Sequence, residues 1–197
     1  MKRTTLIGGI VTTILLSTSI AFQPASATEA RAGAGPGAEQ VSTVPLYRMY
    51  HAGTGINFYT ANPARRKNAA ANGWSTIGKA GYVFDRKMPG TVPLYVAITD
   101  QGAGAIFVYT TNFDEVLKLT RKRVWWTEGD GIVCYVAPAQ LPGTRPLYRL
   151  QRPNIGTIGR SDSFYTTSQA ERDSAVSRAQ YQLVGTEGYV WSASVTW

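Results

Sequence analysis

Three stretches of the chain alternate apolar and polar positions with a period of two. In "PLYRM", "PLYVA" and "PLYRL", Tyr47 and Met49, Tyr95 and Ala97, and Tyr148 and Leu150 share one side, while Arg48, Val96 and Arg149 share the other. This pattern predicts half-buried β-strands. Pro45, Pro93 and Pro146 suit a strand's start, where a missing ladder donor is least felt. A second strand follows each, through "FYT", "VYT" and "FYT" beginning at Phe58, Val108 and Phe164. Four residues later stand Asn62, Asn112 and Ser168, whose side-chain oxygens can accept from free amides of a helix's first turn. Pro63 suits a first helical position, and Glu115 and Glu171, three after their caps, predict capping boxes. The helices "PARRKNAAAN", "FDEVLKLTRKR" and "QAERDSAVSRAQ" are short, and Gly73 ends the first. In the second, extended by one residue, Phe113, Val116, Leu117 and Val124 share a side. Helices of this length need an apolar surface to lie on. Return strands begin at Gly81, Gly131 and Gly188, which lie 23, 23 and 24 residues after the first residue of each triplet.

The chain therefore repeats a strand–strand–helix–strand unit three times, over about 44–90, 91–143 and 144–197. One such unit cannot bury both sides of its apolar layer, whereas three stacked or ring-closed units can. Closure also hides strand edges. The expectation is a β-rich α+β fold in which three repeats form one compact pseudo-threefold domain, β-trefoil-like or small propeller-like. Tyr59, Tyr109 and Tyr165 recur with the frame and are expected in its core.

The units resemble a repeat family of unknown function found in secreted bacterial and fungal proteins. Its unit reads P-hydrophobic-Y-R-hydrophobic-Y, a Gly/Asn loop, H-F-Y-T, a capped helix with Glu, then E-G-x-x-G-Y-V. "PLYRMYHAGTGINFYTANPARRKNAAANGWSTIGKAGYVF" and "PLYRLQRP…DSFYTTSQAERDSAVSRAQYQLVGTEGYVW" follow it, and the middle unit diverges. The resemblance spans about Val44 to Trp197 and implies adhesion or polymer binding. The family's His before F-Y-T is replaced here by Asn57, by Ile106 or Phe107, and by Ser163.

The first 27 residues read as a secretory signal peptide: Lys2 and Arg3, an apolar run from Leu6 to Ala21, and "ASA" at 25–27. That run is too short for a membrane span, and the mature product is expected outside the cell. Residues 28–43, rich in Ala and Gly, read as a flexible leader. The net charge is +8, and +6 once Lys2 and Arg3 are removed. Its clusters, "RRK" at 65–67 and "RKR" at 121–123, read as solvated helix surface or as attraction to an anionic polymer. Nucleic acid is disfavoured, because no recognition motif accompanies the charge. Cys134 is the chain's one cysteine. It can form no internal disulfide, and its alternating apolar surroundings predict a buried, inert thiol.

Catalytic parts are scarce. His51 is the one histidine, and no zinc, calcium or nucleotide spacing occurs, so no metal or cofactor is expected. The segments joining the first two strands of each unit differ most, and such loops on a shared frame usually carry binding. Candidate ligand-binding residues are His51, Thr54, Asn57, Asp100, Gln101, Asn154, Arg160 and Asp162. Trp125 and Trp126 join them, because one of two adjacent strand residues must point outward and an outward indole can stack on a sugar ring. The expectation is a secreted, monomeric, non-catalytic module binding a glycan or cell-wall polymer. The alternatives are a small glycan hydrolase using Asp100, Asp130 and Asp162, which requires two facing carboxylates, and a module that binds or inhibits a protein partner through the 151–163 segment.

Overall fold

The computed structural model describes residues 40–100, 105–155 and 160–197. The expected signal peptide, the leader up to residue 39 and Gln101 lie outside the described residues, as do the side chains of Asn154 and Arg160. The architecture is β-rich. In chain order the first unit comprises β1 (Val44–His51), β2 (Ile56–Thr60), α1 (Pro63–Ala71) and β3 (Ser75–Val83). The second comprises β4 (Val92–Asp100), β5 (Ala105–Thr110), α2 (Phe113–Thr120), β6 (Trp125–Trp126) and β7 (Ile132–Val136). The third comprises β8 (Thr144–Ile155), β9 (Arg160–Thr166), α3 (Gln169–Arg178) and β10 (Gln182–Trp191).

In each unit an antiparallel hairpin is followed by a helix, and the return strand pairs with the other edge of the hairpin's first strand. Pro45, Pro93 and Pro146 occupy matching registers, opposite Tyr82, Tyr135 and Tyr189. That register corrects the sequence alignment of the middle unit. Cys134, opposite Leu94 as Gly81 is opposite Leu46, takes the glycine's place; Gly131 does not. The middle unit spends its extra residues on β6 and the turn after it. Cys134 is buried, as expected, and burial pushes its thiol pKa up.

The units meet at the ends of their return strands. Tyr82 pairs with Trp191, Phe84 with Tyr135, and Ala137 with Tyr189. The first contact joins β3 to β10 and makes a six-stranded sheet, β2-β1-β3-β10-β8-β9; the second unit forms a four-stranded sheet around β4. Close approach here explains two glycines with positive φ. A Cβ on Gly81 would lie 2.5 Å from Val190 Cγ2, and one on Gly188 would lie 2.6 Å from Val136 Cγ2. The last residues of the expected leader belong to this body. Val41 exchanges backbone hydrogen bonds with Trp197, and Thr43 Oγ1 accepts from Val195 N.

The second strands of the hairpins face the middle. β2 and β5 are buried at almost every position, unlike the half-buried first strands. In β1 the buried residues are Leu46 and Met49, three apart, because register shifts interrupt the alternation. Among the described residues, each of β2, β5 and β9 has one edge without a strand partner, and three tyrosines close those edges. Tyr59 Oη donates to Tyr165 O at 2.6 Å and accepts from Tyr165 N at 3.0 Å. Tyr165 Oη treats Tyr109 in the same way at 2.7 and 2.8 Å, and Tyr109 Oη treats Tyr59 at 3.0 and 2.9 Å. The rings stand 5.4–5.5 Å apart, edge to face. All three tyrosines are buried, and burial pushes their pKa values well above the ordinary phenol range.

The threonine of each triplet completes the motif. Thr60, Thr110 and Thr166 accept through Oγ1 from the backbone N–H of the caps Asn62, Asn112 and Ser168. The caps in turn accept from the helices' first turns, as predicted. The expected capping boxes do not form, because that N–H is already taken. Glu115 reaches across to Arg149 of the third unit at 2.8 Å, and Glu171 to Arg48 of the first at 2.6 Å. The helices are surface features: α1 and α3 bury no residue, and on α2 only Val116 is buried, with Phe113 and Leu117 exposed; α2 ends at Thr120, before Val124, which is also exposed.

Candidate functional site

The candidate site lies where α1 of the first unit faces the second. Arg65, Asn68 and Ala69 of α1, with its C-cap Asn72, recur at helical spacing and so share one face. With Phe58, Trp74, Ile98, Phe107, Trp126 and Glu128 they line a groove of about 290 Å³. Phe58 and Phe107 form a buried floor, 5.1 Å apart, and Trp74 stands edge-on to both. Trp126 is 43% exposed, while Trp125 is half-buried. Pairing of β6 with β4 fixes this choice, placing Trp126 opposite Ile98. Arg65 bonds Glu128 at 2.5 Å and lies 4.9 Å above the Phe58 ring. The groove thus offers indole faces beside amide, guanidinium and carboxylate groups. Apolar walls with a few convergent polar groups are the usual make-up of a small-ligand site.

A second groove, of about 360 Å³, lies between α3 and the first unit, lined by Arg48, Asn57, Phe164, Glu171, Arg178 and Tyr181 among others. Arg48 lies 4.2 Å above Phe164 and donates from Nε to Asn57 Oδ1 at 2.9 Å. Behind Tyr181 sits Asp162, buried and accepting the Tyr181 hydroxyl. Burial pushes the Asp162 carboxyl pKa up, while the Tyr181 hydroxyl, Arg152 and Arg48 oppose that rise.

The sequence-predicted residues therefore divide. Trp126 lines the first groove. His51 reaches its back wall, packing on Trp74 at 5.3 Å with its Nδ1 3.1 Å from Thr54 Oγ1. Asn57 lines the second groove, where its amide is taken by Arg48, and Asp162 supports that groove from behind. Asp100 is exposed at the end of β4. Asp130 accepts from Ile132 N at 2.9 Å and so closes a turn. Among the described residues, no group of three or more His, Cys, Asp and Glu is placed to hold a metal ion.

Sequence reasoning missed Phe58, Asn68, Asn72, Trp74 and Phe107. The signal was present in the spacing 65, 68, 69, 72, which predicts one helix face, and in 171, 174, 175, 178, which repeats it. The pairing of Arg65 with Glu128 had no local signal. In the second and third units, an acid three residues after the cap meets a strand arginine of the next unit. In the first unit that helix position is Arg65, the strand position of the next unit is Val96, and Glu128 supplies the acid.

No helix among the described residues is long and apolar enough to cross a membrane. No curated protein and no solved structure matches the chain. Two overlapping stretches, residues 22–129 and 101–191, match the model of one family, described as "Domain of unknown function (DUF5648)". With most of its length under that match, the chain belongs to this family.

Proposed function

We propose that the protein is a secreted, non-catalytic module that binds a carbohydrate or cell-wall polymer, and that its primary site is the α1 groove. The observation that carries this reading is Trp126, a large indole held 43% exposed in a groove that it lines together with Phe58, Phe107 and Trp74. Exposure of so much apolar surface is unfavourable by ~25 cal/mol per Å² unless something covers it. A sugar ring suits the place. Its C–H face stacks on the indole, and its hydroxyls find Asn68, Asn72, Arg65 and Glu128. Export rests on residues 1–27, with their basic start, apolar run and small-residue site.

The architecture that supports the groove is, in this reading, a pseudo-threefold ring of repeats. Three features favour it: the matched registers of Pro45, Pro93 and Pro146, the cyclic hydrogen bonds of Tyr59, Tyr165 and Tyr109, and the cyclic contacts of the return strands. Such a ring places each helix against the neighbouring unit, so ligand grooves fall on the seams between units. The hydrolase alternative gains no comparable support. Asp130 serves a turn, Asp162 is buried behind Tyr181, and Glu128, Glu115 and Glu171 are engaged by arginines.

A glycan array, with pull-down on insoluble peptidoglycan and chitin, tests the reading. Retention of the wild-type protein and its loss in Trp126→Ala are expected. Equal retention of both proteins, or silence across all glycans at high protein concentration, would overturn it.

A further inference from the structure

The α3 groove occupies in the third unit the place that the α1 groove occupies in the first. Counted from the caps, Asn68 corresponds to Ser174, Ala69 to Ala175 and Asn72 to Arg178; Phe58 corresponds to Phe164, and Trp74 to Tyr181 after one extra residue. The frame is shared but the chemistry is not. Where α1 presents the amide of Asn72, α3 presents a guanidinium. Two arginines, Arg48 and Arg178, line this groove, and a third, Arg152, packs on its Tyr181. Arg48 is occupied by Glu171 and Asn57. Arg152 lies 4.9 Å above the Tyr181 ring, near the Asp162 carboxylate, and its buried Nε has no hydrogen-bond partner among the described residues. Arg178, exposed in the last turn of α3, lines the groove and has no ion-pair partner among the described residues. Two carboxylates, Glu171 and Asp162, answer three guanidinium groups, and the surplus charge sits on Arg178 at the groove's edge. The first groove has no such surplus, because Glu128 neutralises Arg65.

We propose that the α3 groove is a second saccharide site, selective for a sugar bearing an anionic group, which pairs with Arg178 while the ring packs on Tyr181. The proposal rests on the reading that the seam grooves hold sugars. It adds that the two grooves differ in the charge of the sugar they accept. A guanidinium takes a planar carboxylate or a tetrahedral sulfate through parallel N–H donors, so the shared requirement is the anion. Two linked sites of different preference would favour a polymer that carries both neutral and acidic units, with a gain from effective concentration.

Calorimetric titration of the full chain with tetragalacturonate, its carboxyl-reduced counterpart and a sulfated tetrasaccharide tests this. Tetragalacturonate, the sulfated sugar or both should bind, and the reduced sugar should bind at least tenfold more weakly. Arg178→Gln, an exposed change that leaves packing intact, should weaken anionic-sugar binding about tenfold, the effect of one charge-assisted contact. Binding of the two anionic sugars together identifies the charge as what is read, and binding of one alone identifies the anion. Equal affinity for the reduced sugar, no effect of Arg178→Gln, or no binding of either anionic sugar at millimolar concentration overturns the proposal. Should neutral glycans still be retained through Trp126 in that case, the α1 reading stands and only the α3 assignment fails.

Discussion

Removing one hydroxyl from the central ring should cost far more than an ordinary surface change. Tyr109→Phe keeps the ring and its edge-to-face neighbours at 5.4–5.5 Å. It leaves both the N–H and the C=O of Tyr59 without a partner, since each is bonded to Tyr109 Oη, at 2.9 and 3.0 Å. Tyr59 is 2% exposed, so water cannot readily replace the hydroxyl. A buried backbone group left unsatisfied costs about 1–3 kcal/mol, and two such groups together cost about 2–6 kcal/mol. Whole domains are stable by about 5–15 kcal/mol, so a mid-range loss removes a large share. For a domain of this size, about 4 kcal/mol lowers Tm by roughly 8–16 °C. Urea denaturation followed by circular dichroism, with a parallel thermal melt, measures both. Tyr165→Phe, which orphans Tyr109, and Tyr59→Phe, which orphans Tyr165, should behave alike. Losses below about 1 kcal/mol in all three variants would refute the argument that these hydroxyls hold the strand edges together.

The same burial predicts alkaline unfolding. The three tyrosines ionise in the unfolded chain near pH 10 but resist ionisation in the fold. Above that pH the unfolded state therefore binds fewer protons, and stability falls as pH rises; phenolate absorbance should show these three ionising only with unfolding. Ser163→Asn should stabilise the fold by about 1 kcal/mol in a urea titration. Among the described residues, Ser163 Oγ and Arg149 Nε are buried without hydrogen-bond partners, and the corresponding Asn57 and Arg48 of the first unit bond at 2.9 Å; a loss of stability would show that the seam has no room for the amide. Trp126→Ala should leave Tm within about 2 °C of wild type, because the indole is 43% exposed, and a large drop would make it a packing residue.

The frame was legible because repetition removes accident. One "FYT" predicts little, but three, each followed at the same interval by a cap, predict a strand running into a helix. The register of the return strand in the middle unit was not legible. Gly131 sits at the expected interval, yet Tyr135 and Val136 carry the contacts that Tyr82 and Val83 make in the first unit. The grooves were half legible. The alternation of strand side chains predicts that either Trp125 or Trp126 points outward without choosing between them, and Glu128, which meets Arg65 across a seam, lies 63 residues away from it with no local pattern to connect them. The glutamates three after the caps misled for a similar reason. Their spacing fits a capping box, but Thr110 and Thr166 had already satisfied the amides that such boxes would serve.

Nuclear magnetic resonance of the indole N–H groups tests the central claim most directly, because the chain's five tryptophans report from different places. Each signal can be assigned by single substitution and followed during titration with soluble chitin and peptidoglycan fragments. The account predicts that the Trp126 and Trp74 signals move together and saturably, while that of Trp191, buried at the strand contacts, stays fixed. Fixed Trp126 and Trp74 signals in the presence of a glycan that the protein demonstrably binds would contradict it.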